Sequence, residues 1–141
     1  MVQIDIEYRG ELRCEATHGP SGSLLATDAP VDNQGRGESY SPTDLLATSL
    51  GTCMLTIMGI RARDLGVKLD GTTVRVAKHM VADPQRRVGR LEVSIRLPAV
   101  DAAHQPALEE AAHRCPVANS IDPRIEVEVR FGWGEQVVEA G

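Results

Sequence analysis

Two of the three cysteines in this chain lie in surroundings that could support thiol chemistry. Cys53 lies in the apolar run 49–57, and Cys115 stands immediately before Pro116. A thiolate close to a second thiol can reduce a peroxide, because the sulfenic acid formed on one cysteine is resolved as a disulfide by the other. Redox catalysis by this pair is therefore the first hypothesis, and inert core cysteines are its alternative.

Cys53 lies deep inside a predicted helix. At about twelve positions from the helix start it is roughly 17 Å from the N-terminus, too far for the helix dipole to stabilise a thiolate. A free cysteine on an apolar helix face is usually an inert small hydrophobe. If Cys53 is reactive, a cation must reach it from another element, since burial alone raises the pKa of a thiol.

Local sequence favours Cys115 as the thiolate. With Pro116 at a first helical position, Cys115 would be the N-cap of a short helix that ends at about Ile121. Free backbone N–H groups there favour negative charge, and His113 and Arg114 add neighbouring positive charge. The alternative is a cysteine that merely ends one helix and begins another.

Asp44 is a candidate acid–base partner, although its position predicts a capping role. Ser41 can be the N-cap, Pro42 fits the first helical position, and Asp44 completes a capping box. Asp44 and Cys53 are nine residues apart. In one helix they would point to opposite sides, roughly 13 Å apart along the axis, so Asp44 cannot reach Cys53.

Two further residues bear on the site. Cys14 lies on a predicted strand, and the chain has no C-x-x-C and no H-x-x-x-H pair of the kind that zinc sites use. We therefore expect neither a metal nor another cofactor. Gly51 costs about 1 kcal/mol relative to Ala in a helix interior, which predicts close approach of another backbone or helix beside Cys53.

Length and composition indicate one soluble domain. The chain has 141 residues, of which 42% are hydrophobic and 25% charged, close to an ordinary soluble protein. A net charge of -5 and an aromatic content of 3% argue against nucleic-acid binding. No 18 uninterrupted apolar residues and no signal-peptide pattern occur, so we expect no membrane span and a cytoplasmic location. There, a disulfide would be transient and catalytic rather than structural.

Hydrophobic periodicity predicts a single α+β domain over residues 1–141. Period-two alternation between turn signals indicates strands, and the apolar stretch after the capping box indicates a long helix that stops at Gly66. The predicted strands are 2–8, 11–17, 23–27, 67–69, 73–81, 90–97 and 125–131, and the predicted helices are 42–65 and 106–114. The long helix is apolar on almost every side, so cover by a second subunit is a reasonable inference.

Together, these motifs resemble the OsmC/Ohr family, the osmotically inducible and organic hydroperoxide resistance proteins. The resemblance rests on the block from Ser41 to Leu46, the tripeptide ending at Cys53 and the tripeptide beginning at Cys115, and it covers nearly the whole chain. It implies N-terminal antiparallel strands, a long central helix, further strands, a second helix and a closing strand. It also implies an intertwined homodimer in which the two long helices pack together.

The resemblance further implies residue roles at the dimer interface. Cys53 would be the peroxidatic cysteine and Cys115 the resolving one, which reverses the order that local sequence favours. An arginine near the first strands would stabilise the thiolate, and a carboxylate from the segment before the long helix would hold it. Arg13 is our candidate for this arginine, with Arg9 and Arg36 as alternatives.

One position departs from the organic hydroperoxide resistance branch. That branch has Asn-Pro-Glu-Gln where residues 41–44 here are Ser-Pro-Thr-Asp. Thr43 therefore stands at the carboxylate position, and Asp44 or Glu38 would have to substitute. The chain resembles the broader OsmC-like branch more closely.

These considerations predict a thiol-dependent peroxidase that reduces organic hydroperoxides. Cys53 would attack the peroxide, Cys115 would close a disulfide, and an external dithiol would restore both thiols. An apolar pocket favouring lipid-like hydroperoxides would be lined by Leu50, Gly51, Met54 and Met58. Two alternatives stay open: a non-catalytic OsmC-like protein that binds an apolar small molecule at the dimer interface, and a structural dimer with inert cysteines.

Overall fold

The computed structural model describes residues 1–134, which fall into two compact units. The first unit comprises Met1–Leu46, and the second begins at Ala47. The sequence-based prediction of one domain over residues 1–141 stays a prediction, and its last part, 135–141, lies outside the described residues.

The first unit is a three-stranded antiparallel sheet followed by a loop. Its strands are β1 (Ile4–Gly10), β2 (Arg13–His18) and β3 (Leu24–Asp28), in the order β1-β2-β3. A short 3-10 helix at Val31–Asn33 lies in the loop that follows. The β2–β3 register places Arg13 directly opposite Asp28, so these two side chains lie on the same face of the sheet.

The hairpin between β1 and β2 has a tight turn with an unusual backbone. Gly10 pairs with Arg13, so Glu11 and Leu12 form the tip, with φ values of 53° and 66°. Both residues therefore occupy the left-handed region, which favours glycine and asparagine over residues with larger side chains. Arg13 follows this turn directly, as the first residue of β2.

The second unit contains a mixed sheet and the greater part of a long helix. Helix α1 (Pro42–Leu65) is followed by strands β4 (Thr73–Val81) and β5 (Arg87–Leu97), then by helix α2 (Gln105–His113) and strand β6 (Glu126–Trp133). Strand β5 is central: β4 pairs with it antiparallel and β6 parallel. A parallel neighbour requires a crossover connection, which contains α2.

The core of the second unit is aliphatic. Alternate residues of β5 point inward, as the period-two pattern predicts. Together with residues of α1 and α2 they form a nearly solvent-free set: Leu50, Met54, Met58, Leu91, Val93, Ile95, Leu97, Leu108 and Ala112. Burying each large aliphatic side chain contributes about 1.5–3 kcal/mol.

The α+β class predicted from the sequence is confirmed, but two segments differ from the prediction. Residues 67–69 form no strand, because the Val67 amide donates to the Ala62 carbonyl (2.9 Å) and is held just beyond the end of α1. Residues 116–120 form turns rather than a short helix. Two single-turn hydrogen bonds, Asn119 to Cys115 and Ser120 to Val117, hold them, and so short a segment has little helix stability of its own.

By its length and composition, helix α1 is long and apolar enough to cross a membrane. An 18-residue window within its 24 residues has a mean hydropathy of 1.4. Small serine, threonine and glycine residues interrupt its apolar run. The core helix of a soluble protein can be as long and apolar as this one, but it is mostly buried. Here, 33% of the window is buried in the structure. Part of the apolar surface of α1 is therefore left open in the single chain.

Candidate active site

The structure brings Cys53 and Cys115 into contact within the second unit. Cys53 lies on α1 and is half-buried, whereas Cys115 lies just after α2 and is 0% exposed. Both are free thiols, and their side chains are joined by a hydrogen bond. The two cysteines that sequence reasoning singled out therefore form one site.

Cys115 is held as a thiol. Burial raises its pKa most, and the hydrogen bond with Cys53 raises it further, while the backbone N–H groups of Ala118 and Val117 lower it. A hydrogen bond that raises a thiol pKa favours the protonated form, so the contact with Cys53 also favours Cys115 as a thiol. The local preference for Cys115 as the thiolate is therefore wrong, because burial outweighs the backbone N–H groups.

The pair is chemically asymmetric. Cys53 is half-buried, so part of this residue faces solvent in the single chain. Cys115 is enclosed and protonated beside it. An oxidant can therefore meet the Cys53 sulfur first, and any sulfenic acid formed there would already lie next to a thiol.

Arg13 lies in a cluster of carboxylates in the first unit. Its Nη2 is 3.0 Å from Glu38 Oε2 and 3.6 Å from Asp28 Oδ2. The hydrogen bond to Glu38 and the negative charge of Glu38 raise the pKa of Arg13 most, and Asp28 adds to this. Sequence reasoning named Arg13 and Glu38 but missed Asp28.

The alternative arginines are more exposed than Arg13. Arg9 lies 2.8 Å from Glu7, and its side chain is 55% exposed. Arg36 lies 3.5 Å from Glu11, and its side chain is 64% exposed. Arg13 is 37% exposed and, of the three, is the one paired with a buried carboxylate. The side chain of Arg13 is therefore the least exposed of these candidates.

Asp44 takes part in the cap of α1. Its Oδ2 accepts a hydrogen bond from the Ser41 amide (2.9 Å), and its own amide donates to Ser41 Oγ (3.1 Å). The Ser41 and Thr43 hydroxyls lie 3.2 Å apart. This is the predicted capping box, which satisfies two backbone donors at the helix start.

The four predicted pocket residues, Leu50, Gly51, Met54 and Met58, are buried in the core of the second unit. They lie on the packed side of α1. Two cavities lie elsewhere along the helix. One, of about 560 Å³, adjoins Leu55, Ile60 and Val67, and the other, of about 520 Å³, adjoins Ile57 and Ala111.

Within residues 1–134, no group of three or more histidine, cysteine or carboxylate side chains is arranged to hold an ion. Cys14, on β2, pairs across the sheet with Tyr8 and is a half-buried free thiol.

The chain is an α+β protein in which two cysteines, Cys53 and Cys115, are in contact. The family model described as OsmC-like protein matches residues 35–130, more than half of the chain. The protein belongs to the OsmC-like family, as the motifs predicted. None of the curated proteins matches it.

Solved structures show the same fold. A Psychrobacter arcticus protein, named for osmotic stress and a detoxification response, is 48% identical, with a TM-score of 0.88 over 93% of this chain and 96% of its own. An organic hydroperoxide resistance protein from Legionella pneumophila is 16% identical, with a TM-score of 0.76 over 94% and 96%. One from Elizabethkingia anophelis, with thiocyanate bound, is 18% identical, with a TM-score of 0.76 over 95% and 96%.

Proposed function

We propose that the protein is a thiol-dependent peroxidase that reduces organic hydroperoxides. The observation that carries this proposal is the contact between the half-buried Cys53 and the fully buried Cys115, whose pKa is raised. Similarity to organic hydroperoxide resistance proteins supports the substrate class. A cytoplasmic setting, in which free thiols are the resting state, is part of the same proposal.

The proposed cycle has three balanced steps. The Cys53 thiolate attacks the terminal peroxide oxygen and the O–O bond breaks, so that the alkoxide leaves and takes up a proton to become an alcohol. Cys115 then attacks the Cys53 sulfenic acid, which forms the disulfide and releases water. An external dithiol reduces this disulfide by thiol–disulfide exchange and is itself oxidised. Arg13 is assigned, by the family resemblance, to stabilise the Cys53 thiolate.

A homodimer is part of the proposal. Alternate residues on one face of β1, Ile4, Ile6 and Tyr8, are 58%, 69% and 64% exposed in the single chain. On α1, Ile60 is 52% exposed. Apolar surface of this extent on separate elements favours cover by another chain, and a second copy is the partner that the family resemblance implies.

The test is oxidation of the reduced protein with one equivalent of tert-butyl hydroperoxide, followed by non-reducing mass analysis. We expect loss of two hydrogens per chain and a peptide that links Cys53 to Cys115. Cys115→Ser should stop at a sulfenic acid that dimedone traps, and Cys53→Ser should consume no hydroperoxide. Cys14→Ser is the matched control and should behave as the wild type. Oxidised protein in which Cys53 and Cys115 remain unjoined would contradict the mechanism.

One observation favours a second candidate, a non-catalytic protein that binds an apolar small molecule. Thr43 stands at the position of the family carboxylate, where its hydroxyl lies 3.2 Å from that of Ser41. This candidate predicts negligible hydroperoxide turnover by the wild type. It also predicts that Cys53→Ser leaves the binding of an apolar fluorescent probe unchanged.

A further inference from the structure

Asp28 is a buried charged residue that the proposed cycle does not use. It is the last residue of β3, and its side chain is 1% exposed. Removing a carboxylate from water is destabilising by several kcal/mol unless opposite charge and hydrogen bonds compensate. The burial of Asp28 therefore requires specific partners.

The two oxygens of Asp28 have different surroundings. Oδ2 accepts a hydrogen bond from the Glu38 amide (3.1 Å) and lies 3.6 Å from Arg13 Nη2. Oδ1 is buried and has no hydrogen-bond partner among residues 1–134. Arg13 Nε is likewise buried and unpaired within that range. A carboxylate so placed has its charge balanced mainly by the neighbouring guanidinium.

Asp28 and Glu38 differ in how firmly they can hold Arg13. The Glu38 side chain is 57% exposed, so water screens its charge, and its rotamers remain free to change. Asp28 is fixed by burial, by the backbone hydrogen bond and by its cross-strand register with Arg13. Glu38 is the nearer partner of Arg13 at 3.0 Å, whereas Asp28, at 3.6 Å, is the partner whose own position is fixed.

We propose that Asp28 is the positioning residue of Arg13 and takes the place of the carboxylate that is missing at Thr43. This inference rests on the proposed peroxidase function, in which Arg13 stabilises the Cys53 thiolate. Asp28 acts through Arg13 and touches neither the peroxide nor the sulfur in the cycle. The arginine anchor of this chain is thus supplied by a strand of its N-terminal sheet.

A purely structural role for Asp28 makes a different prediction. The Asp28 amide donates to the Tyr40 carbonyl (3.0 Å), and the Asp28 carboxylate accepts a hydrogen bond from the Glu38 amide. Asp28 therefore also closes the loop that runs from the end of β3 to Tyr40. If loop closure were its whole role, its replacement would lower stability but leave the ionisation of Cys53 unchanged. The pH dependence of Cys53 reactivity separates the two roles.

The experiment measures the rate of Cys53 alkylation by iodoacetamide against pH in the intact protein, with peptide mapping. Asp28→Asn keeps the shape of the side chain and an acceptor for the Glu38 amide but removes the charge. We expect the midpoint of the profile to rise by about one pH unit, equivalent to about tenfold less thiolate below the midpoint. Glu38→Gln should shift it less. Glu11→Gln, at the exposed end of the same ion-pair cluster, should keep the wild-type midpoint.

A double-mutant cycle tests whether Asp28 acts through Arg13. Arg13→Gln alone and Arg13→Gln combined with Asp28→Asn should give the same midpoint, because the second change has nothing left to position. Asp28→Glu should restore part of the shift, and it serves as the test variant if Asp28→Asn does not fold. A wild-type midpoint in either Asp28 variant would overturn the inference, and so would full additivity with Arg13→Gln.

Failure of this inference and failure of the proposed function are distinguishable. The alkylation profile uses no peroxide, so it reports on Asp28 and Arg13 whether or not the protein turns over a hydroperoxide. Absence of tert-butyl hydroperoxide consumption by the wild type would remove the peroxidase proposal alone. A lower melting temperature with an unchanged midpoint would leave Asp28 a loop-closing residue and overturn its positioning role.

Discussion

At the scale of single residues, the two cysteines show where local sequence is informative and where it is not. The Cys-Pro pattern predicts backbone N–H groups near the Cys115 sulfur, and those of Val117 and Ala118 do lower its pKa. Burial and the contact with Cys53 raise the pKa by more, and both come from parts of the chain that are distant in sequence. Local sequence therefore singles out two cysteines that are in contact, but it does not show that Cys115 is buried.

The same asymmetry makes a prediction about labelling. At pH 8, iodoacetamide should modify Cys53 well before Cys115, because Cys115 is enclosed and its pKa is raised above the ordinary thiol value of 9.0. The raised pKa stabilises the fold fully below about pH 9, and this contribution is lost as pH rises and the unfolded thiol ionises. Timed alkylation with mass analysis measures the order of labelling. Equal rates for all three cysteines in urea are the control, and earlier labelling of Cys115 in the native protein would contradict the assignment.

Asp28 shows what sequence analysis can miss. An aspartate just before a loop is a common turn residue, so its position alone gives no reason to connect it with Arg13. The predicted strands 11–17 and 23–27 already imply a hairpin, and its register would place the two residues opposite each other. The burial of Asp28 strengthens its electrostatic attraction to Arg13, because water is excluded, and this burial depends on tertiary packing.

At the scale of elements, α1 was the most predictable part of the fold. The capping box fixes its start through short-range contacts between Ser41 and Asp44 that a four-residue motif specifies. The parallel pairing of β6 with β5 is a long-range choice that periodicity alone does not specify. The expected neighbour of Gly51 was also wrong: β4 side chains, Val76 and Val74, lie there instead of another backbone or helix.

Two glycines of α1 give matched predictions. A Cβ at Gly51 would lie 2.8 Å from Val76 Cγ2, and a valine side chain is stiff. Gly51→Ala should therefore be destabilising by about 1–3 kcal/mol from overpacking, offset by about 1 kcal/mol of helix propensity. A Cβ at Gly59 meets nothing within 4 Å among the described residues, so Gly59→Ala should be stabilising by up to about 1 kcal/mol.

Urea unfolding of both variants measures these effects. Adding Val76→Ala to Gly51→Ala should recover part of the lost stability, because it removes the contacting methyl group. Unchanged or higher stability of Gly51→Ala alone would show that the helix and β4 are less closely packed. A loss of stability in Gly59→Ala would indicate that another chain lies against this side of α1.

At the scale of the whole molecule, the single chain leaves apolar surface on separate elements. Ile60 of α1 and Ile6 of β1 are 52% and 69% exposed. Periodicity in the sequence indicated that α1 needed cover on several sides. It could not specify which surfaces would be covered by the chain itself, since the residues around the helix are nearly all apolar.

The proposed homodimer can be tested by changing these surfaces. Ile60→Glu and Ile6→Glu each place a charge on surface that the dimer would bury, so the mass in solution should fall from two chains to one. Val31→Glu is the matched control, because Val31 is 75% exposed in a loop, and its mass should remain that of two chains. Multi-angle light scattering gives the mass, and a monomeric wild type would contradict the dimer.

The tight turn between β1 and β2 has a consequence for heat tolerance. Its tip is formed by Glu11 and Leu12, both in the left-handed region. That conformation costs roughly 1–2 kcal/mol for a residue with a Cβ, and an asparagine followed by a glycine usually occupies such a turn. The double substitution E11N/L12G should remove this cost and therefore increase the thermal stability of the protein. Both cysteines of the site and Arg13 would be left unchanged by it.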